Sequence, residues 1–173
     1  MLTGSLAGSY HGAPRATQDI DLVLETNLQS LLRLAEVLRG LGLYVSDEAV
    51  REAWSTRGQF NAIDPSSGWK ADFILRKKRL FSEEEFARRQ SLTFLGLDLS
   101  VVTAEDLVVA KLEWAQLGDS ERQLRDVAEV LAIQGDALDR DRIQRWVDEL
   151  GLSDAWSRAQ AEADGLPEPP NSA

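Results

Sequence analysis

The chain has 173 residues, 43% hydrophobic and 28% charged, and 29 acids against 19 lysines and arginines give it a net charge of −10. That length suits one domain, or one core with a helical extension, and the charge excludes a surface that binds nucleic acid throughout while leaving room for a local basic groove. The absence of cysteine excludes disulfides and thiolate metal sites, and no apolar run is long enough to span a membrane, so a cytoplasmic protein without a membrane partner or signal peptide is expected.

Residues 4–24, GSLAGSYHGAPRATQDIDLVL, carry the densest chemistry. Met1-Leu2-Thr3 leaves room for only a very short strand, unless the natural chain starts further upstream. Gly4-Ser5 then opens a short helix. A helix start offers unpaired N–H groups and the positive end of the dipole to phosphate, and a glycine there lets the backbone come close. His11 ends this helix as a cap or surface residue. Residues 13–18 lead into a strand over 19–24, where Asp19 and Asp21 alternate with apolar residues and fall on one face. Adjacent carboxylates repel unless a cation lies between them, and hard oxygen donors so placed suit Mg²⁺. Arg15, the cation between the glycine turn and the acids, reads equally as a phosphate contact and as a solvated loop arginine.

Helical spacing predicts a helix over 27–40 capped by Asn27, then a short strand over 43–45 and a short helix over 47–54. Strands over 58–64 and 69–75 follow, joined by a turn at 65–68. Asp72 precedes Phe73-Ile74-Leu75, a costly place for an acid unless it is used or paired, and a salt bridge to Lys70 is its alternative role. The basic run Arg76-Lys77-Lys78-Arg79 either steers a polyphosphate or an RNA backbone, or is a solvated face paired with Glu83, Glu84 and Glu85. Ser82 is predicted to cap a helix over 82–90, and 91–102 to form two short strands turning at Leu95-Gly96.

Thr103 is predicted to cap the next helix, with Asp106 at its N3 position. Lys111 lies among apolar residues on that helix, where an ammonium is costly unless it serves a site or snorkels to Glu113 or Asp106. Helices over 120–133, 139–150 (capped by Asp139 and closed by Gly151) and 153–163 complete the chain, with a disordered tail over 165–173. Asp126 either pairs with Arg122 or takes part in a site.

The order Gly4-Ser5, thirteen residues, then Asp19-Ile20-Asp21-Leu22 resembles the signature of the nucleotidyltransferase superfamily, the group that includes DNA polymerase beta, with the spacer at the long end of its range. In that family a third carboxylate comes from a later strand beside the Asp-x-Asp strand, and Asp72 is the matching position, as metal ligand and general base. Residues 101–112, VVTAEDLVVAKL, and 122–127, RQLRDV, are similar to motifs of the AbiE-type toxin branch. There the lysine, here Lys111, is tied to the nucleoside triphosphate, and Asp126 stands at the matching place of the next motif. The resemblance covers most of 3–133.

It implies an α+β fold: a small mixed sheet with helices on one side and a C-terminal helical segment. The catalytic core would be 1–102, and the helical segment 103–164 would pack on it. The implied activity is Mg²⁺-dependent transfer of a nucleoside monophosphate from an NTP to an acceptor hydroxyl, releasing pyrophosphate. Asp19, Asp21 and Asp72 would hold two Mg²⁺ ions, with Lys111 completing the catalytic set. Gly4, Ser5, Arg15, Lys111 and Asp126 would bind the nucleotide. The acceptor stays open: RNA such as a tRNA end, as for a toxin with an antitoxin partner, or a small hydroxylated molecule, as for antibiotic-modifying enzymes. A catalytically idle domain that binds a nucleotide or a partner is the remaining reading.

Overall fold

The short alternating segment Asp19–Leu24 becomes a strand because its two faces have opposite chemistry. In the computed structural model, which describes residues 1–94 and 96–167, this segment lies inside a six-stranded sheet. The elements run β1 (Leu2–Thr3), α1 (Gly4–Tyr10), β2 (Asp19–Leu24), α2 (Leu28–Gly40), α3 (Asp47–Thr56), β3 (Gln59–Ile63), β4 (Lys70–Leu75), α4 (Leu80–Ala87), β5 (Gln90–Phe94) and β6 (Leu97–Val101). Then come α5 (Ala104–Gly118), α6 (Glu121–Gln134), a 3-10 turn (Gly135–Ala137), α7 (Arg140–Leu150) and α8 (Ser153–Asp164). The chain divides into two units: Met1–Leu6 with Ala16–Val102, and Ala7–Arg15 with the chain from Thr103 onward.

The first unit holds the sheet, in the order β3-β4-β2-β1-β6-β5. Strands β2 and β4 run parallel, whereas β1–β2, β3–β4 and β5–β6 are antiparallel, so the sheet is mixed. One face is apolar. Phe60 and Ala62 of β3, Phe73 and Leu75 of β4, and Leu22 and Leu24 of β2 pack with Leu31 and Ala35 of α2 and Val50 and Ala53 of α3. Phe60 and Phe73 stack with ring centroids 5.0 Å apart, and each large side chain buried here stabilises the fold by about 1.5–3 kcal/mol. Because side chains alternate, the polar residues of β2 and β4 are left on the other face. This mixed α/β arrangement, with helices on one side of the sheet, is the one expected from the sequence.

The Asn27 cap forms as expected, its Oδ1 accepting from the Ser30 N–H at 2.9 Å. Ser46, not singled out in the sequence, caps α3 through its Oγ, which accepts from the Ala49 N–H at 3.2 Å. Helix α4 differs: it starts at Leu80, and Ser82, instead of capping it, is buried inside, its hydroxyl accepting from Arg79 Nε at 3.1 Å. The strand expected at 43–45 reduces to one bridge, Tyr44 to Ile63. Leu95 of the expected turn, and the part of the expected tail from 168 onward, lie outside the described residues.

The second unit is helical. Helix α5 packs on α6, α7 and α8, and α6 packs on α8. Thr103 Oγ1 accepts from the Asp106 N–H at 3.3 Å, and Asp139 Oδ1 caps α7 through the Arg142 N–H at 2.9 Å. Gly151 closes α7 with φ +67°, a conformation that costs an L side chain about 1–2 kcal/mol. Asp106 is fully buried; its Oδ1 accepts from Arg142 Nε at 3.0 Å and forms an ion pair with Nη2 of the same guanidinium at 2.9 Å. His11 is buried in this unit, edge-on to Tyr10, and its carbonyl accepts from Gln134 Nε2 at 2.6 Å, so it is not a surface residue.

Candidate functional site

The polar face of the sheet concentrates the acids singled out in the sequence. Parallel pairing of β2 and β4 sets Asp21 opposite Asp72 and Asp19 opposite Lys70. Residues opposite one another share a face, and Asp19 and Asp21 share theirs by period two, so all three carboxylates project from one side. Asp72 is 8% exposed, while the Asp19 side chain is 49% exposed. Thr17 fixes the entry to β2: its Oγ1 accepts from the Asp19 N–H at 3.0 Å. Thr17 is a positioning residue that sequence reasoning missed; its signal is a hydroxyl two residues ahead of an acid.

Gly4 reaches the same place through β1. The pair Thr3–Asp21 ends β1 beside the acid, and the chain turns at Gly4 into α1 with φ +65°. A Cβ on Gly4 would stand 1.9 Å from Asp21 Oδ2 and 2.5 Å from its Cγ. Only a glycine backbone fits against this carboxylate. Ser5 follows, 9% exposed.

Lys70 lies among these acids. Its Nζ is 2.8 Å from Asp72 Oδ2 and 3.6 Å from Asp19 Oδ1. The hydrogen bond to Asp72 holds the Lys70 ammonium above its ordinary pKa, helped by the charges of Asp72 and Asp19 and opposed by partial burial. Among the described residues, no three His, Cys, Asp or Glu side chains close into a metal cage. The donor chemistry nevertheless fits Mg²⁺, which is normally held by one or two carboxylates with substrate phosphates completing its shell.

The other residues singled out in the sequence meet in the second unit. Lys111, 3% exposed on α5, donates to Asp126 Oδ2 at 2.7 Å and to Gln123 Oε1 at 3.2 Å. Gln123 and Asp126 are three residues apart on α6 and so share a face. Arg15 Nε lies 3.5 Å from Asp126 Oδ1. Asp126 thus bridges two cations and is buried, in place of a surface pair with Arg122. The structure brings Gly4, Ser5, Asp19, Asp21 and Asp72 together in the first unit, and Arg15, Lys111 and Asp126 in the second.

The basic run after β4 is divided. Arg76 pairs with Glu25 and, at 3.5 Å, with Glu83; Arg79 bonds Ser82 and lies over the Phe81 ring. Lys77 and Lys78 are the exposed members. No helix among the described residues is long and apolar enough to cross a membrane.

No family model matches the chain, and no curated protein does. Solved structures do. The antibiotic-resistance factor ANT(2'')-Ia, determined in solution, superposes with a TM-score of 0.54 at 11% identity, over 95% of this chain and 87% of that one. An antigenic nucleotidyltransferase-like protein from Paracoccidioides brasiliensis gives 0.53 at 15% identity, over 93% and 84%. At these identities the likeness is one of fold.

Proposed function

We propose that this chain, built on a nucleotidyltransferase-like fold, transfers a nucleoside monophosphate from an NTP to an acceptor hydroxyl in a Mg²⁺-dependent reaction. The observation that carries this reading is the register of Asp21 with Asp72, with Asp19 on the same face and Gly4 closed against Asp21. Mg²⁺, expected as two ions on Asp19, Asp21 and Asp72, supplies positive charge against the developing charge on the phosphates. Asp72 takes the proton of the attacking hydroxyl. The hydroxyl oxygen bonds to the α-phosphorus as the bond from phosphorus to the leaving oxygen breaks and pyrophosphate departs. The backbone at Gly4 and Ser5 offers N–H donors to phosphate. The family resemblance assigns Arg15, Lys111 and Asp126 to nucleotide binding, with Lys111 in the catalytic set, and these three meet one another within the second unit.

For the acceptor we favour a small hydroxylated cation. The chain carries a net charge of −10, and Arg76 and Arg79 are engaged within their own unit. One of the fold neighbours is an antibiotic-resistance factor, which agrees with this choice. A tRNA end, with an antitoxin as partner protein, is the second reading, supported by the exposed Lys77 and Lys78.

The test is transfer of label from each α-³²P-labelled NTP with Mg²⁺ to a panel of polyhydroxylated amines and to bulk tRNA. Label on a small amine, abolished in Asp72→Asn, is the expected result. Label on tRNA alone selects the second reading. No label with any NTP or acceptor contradicts transfer.

A further inference from the structure

We infer that Lys70 is a resident counter-cation of the acid face, which a divalent ion must displace from Asp72 in order to bind; this rests on the metal role proposed above for the acids. Register makes a two-by-two array on one face of the sheet, with Asp19 and Asp21 on β2 set against Lys70 and Asp72 on β4. Within it the Lys70 ammonium reaches along its own strand to Asp72 at 2.8 Å and across to Asp19 at 3.6 Å. Three carboxylates on one face repel one another, and a single positive charge among them relieves part of that repulsion. Lysine suits this task. Its charge is compact, it sits on a flexible four-carbon stem, and ammonium and metal compete for the same oxygens.

The side chain is also free to leave. The Lys70 side chain is 33% exposed, whereas that of Lys111, the paired lysine of the second unit, is 4% exposed. Release of Lys70 to water therefore requires no unpacking of the apolar face, since the aromatic stack of Phe60 and Phe73 lies on the opposite side of the sheet. Metal affinity is then set by competition. Lys70 holds the acids together, and metal loading frees it.

The experiment titrates Mn²⁺ into the full chain, wild type, Lys70→Met and Lys70→Arg, reading free Mn²⁺ by electron paramagnetic resonance, and measures the melting temperature of each without metal. Lys70→Met is expected to bind Mn²⁺ at least about tenfold more tightly, since a neighbouring cation weakens proton binding at a carboxylate by about one to three powers of ten and repels a divalent ion at the same oxygens. Its metal-free form melts lower than wild type, and Mn²⁺ raises its melting temperature more. Lys70→Arg, which keeps the charge, stays near wild type in both readouts. Lys70→Gln carries the same expectations as Lys70→Met should that variant not fold. Equal or weaker Mn²⁺ binding by a folded, uncharged variant overturns the inference while leaving the metal role intact. Absence of Mn²⁺ binding in every variant overturns the metal role, and this inference with it.

Discussion

Lys111 on α5 donates to Asp126 on α6 at 2.7 Å, and both side chains are nearly excluded from water. Removing one partner of a buried pair leaves the other desolvated and costs about 3–5 kcal/mol. Arg15 remains 3.5 Å from Asp126 and moderates the loss. Lys111→Met is therefore expected to destabilise the chain by about 3 kcal/mol in urea denaturation, and Lys111→Met/Asp126→Leu to recover part of that. A single variant within about 0.5 kcal/mol of wild type would mean the pair is not desolvated.

Gly4 and Gly42 make a matched pair of tests. Both have positive φ, +65° and +91°, but a Cβ on Gly4 strikes the Asp21 carboxylate and one on Gly42 meets nothing within 4 Å. Each alanine variant carries the left-handed cost of about 1–2 kcal/mol. Only Gly4→Ala must also push Asp21 aside. Both should melt lower, and Gly4→Ala alone should lose Mg²⁺-dependent nucleotide binding in a calorimetric titration.

The turn between β3 and β4 gives a pH-dependent contribution. Ser67 and Ser66 hydroxyls, with the Ser66 N–H, donate to Asp64 and lower its pKa from 3.8 to about 2. A group depressed in the folded state stabilises above its unfolded pKa, and that stabilisation disappears as pH falls from about 4 through about 2. Asp64→Asn, which carries no charge to titrate, should show a shallower fall in melting temperature over that window. Parallel acid profiles for the two proteins would refute the assignment.

Lys77 and Lys78 separate the acceptor classes. Lys77→Glu/Lys78→Glu should leave transfer to a small amine within about twofold, because solvent and salt weaken the interactions of exposed charges. If tRNA is the acceptor, the same variant should bind it more weakly, and the salt dependence of log K should flatten by about one to two. A binding series across salt concentrations distinguishes the two.

How much of this is legible without coordinates depends on how local the cause is. The strand Asp19–Leu24 is readable residue for residue, since alternation of acid and apolar side chains has one solution. The Thr103 and Asp139 caps are equally local. Ser82 misleads because the cap motif is present, but Arg79 takes the hydroxyl and the helix begins two residues earlier. The placement of Asp72 opposite Asp21 is a register between strands far apart in the chain, so the residues alone do not give it; the family resemblance suggests only that the strands are neighbours. The bridging position of Lys70, and the partnership of Asp126 with Lys111 and Arg15, also depend on tertiary packing. Spacing offers each several partners.

The central claim is that the acid face binds a nucleotide through divalent metal, and calorimetric titration of each nucleoside triphosphate with and without Mg²⁺ tests it most directly. Wild type should bind at least one triphosphate only when Mg²⁺ is present, and Asp19→Asn/Asp21→Asn should weaken that binding by at least about tenfold. Binding that is indifferent to Mg²⁺ or unchanged in the double variant, or no binding to any nucleotide, would contradict it.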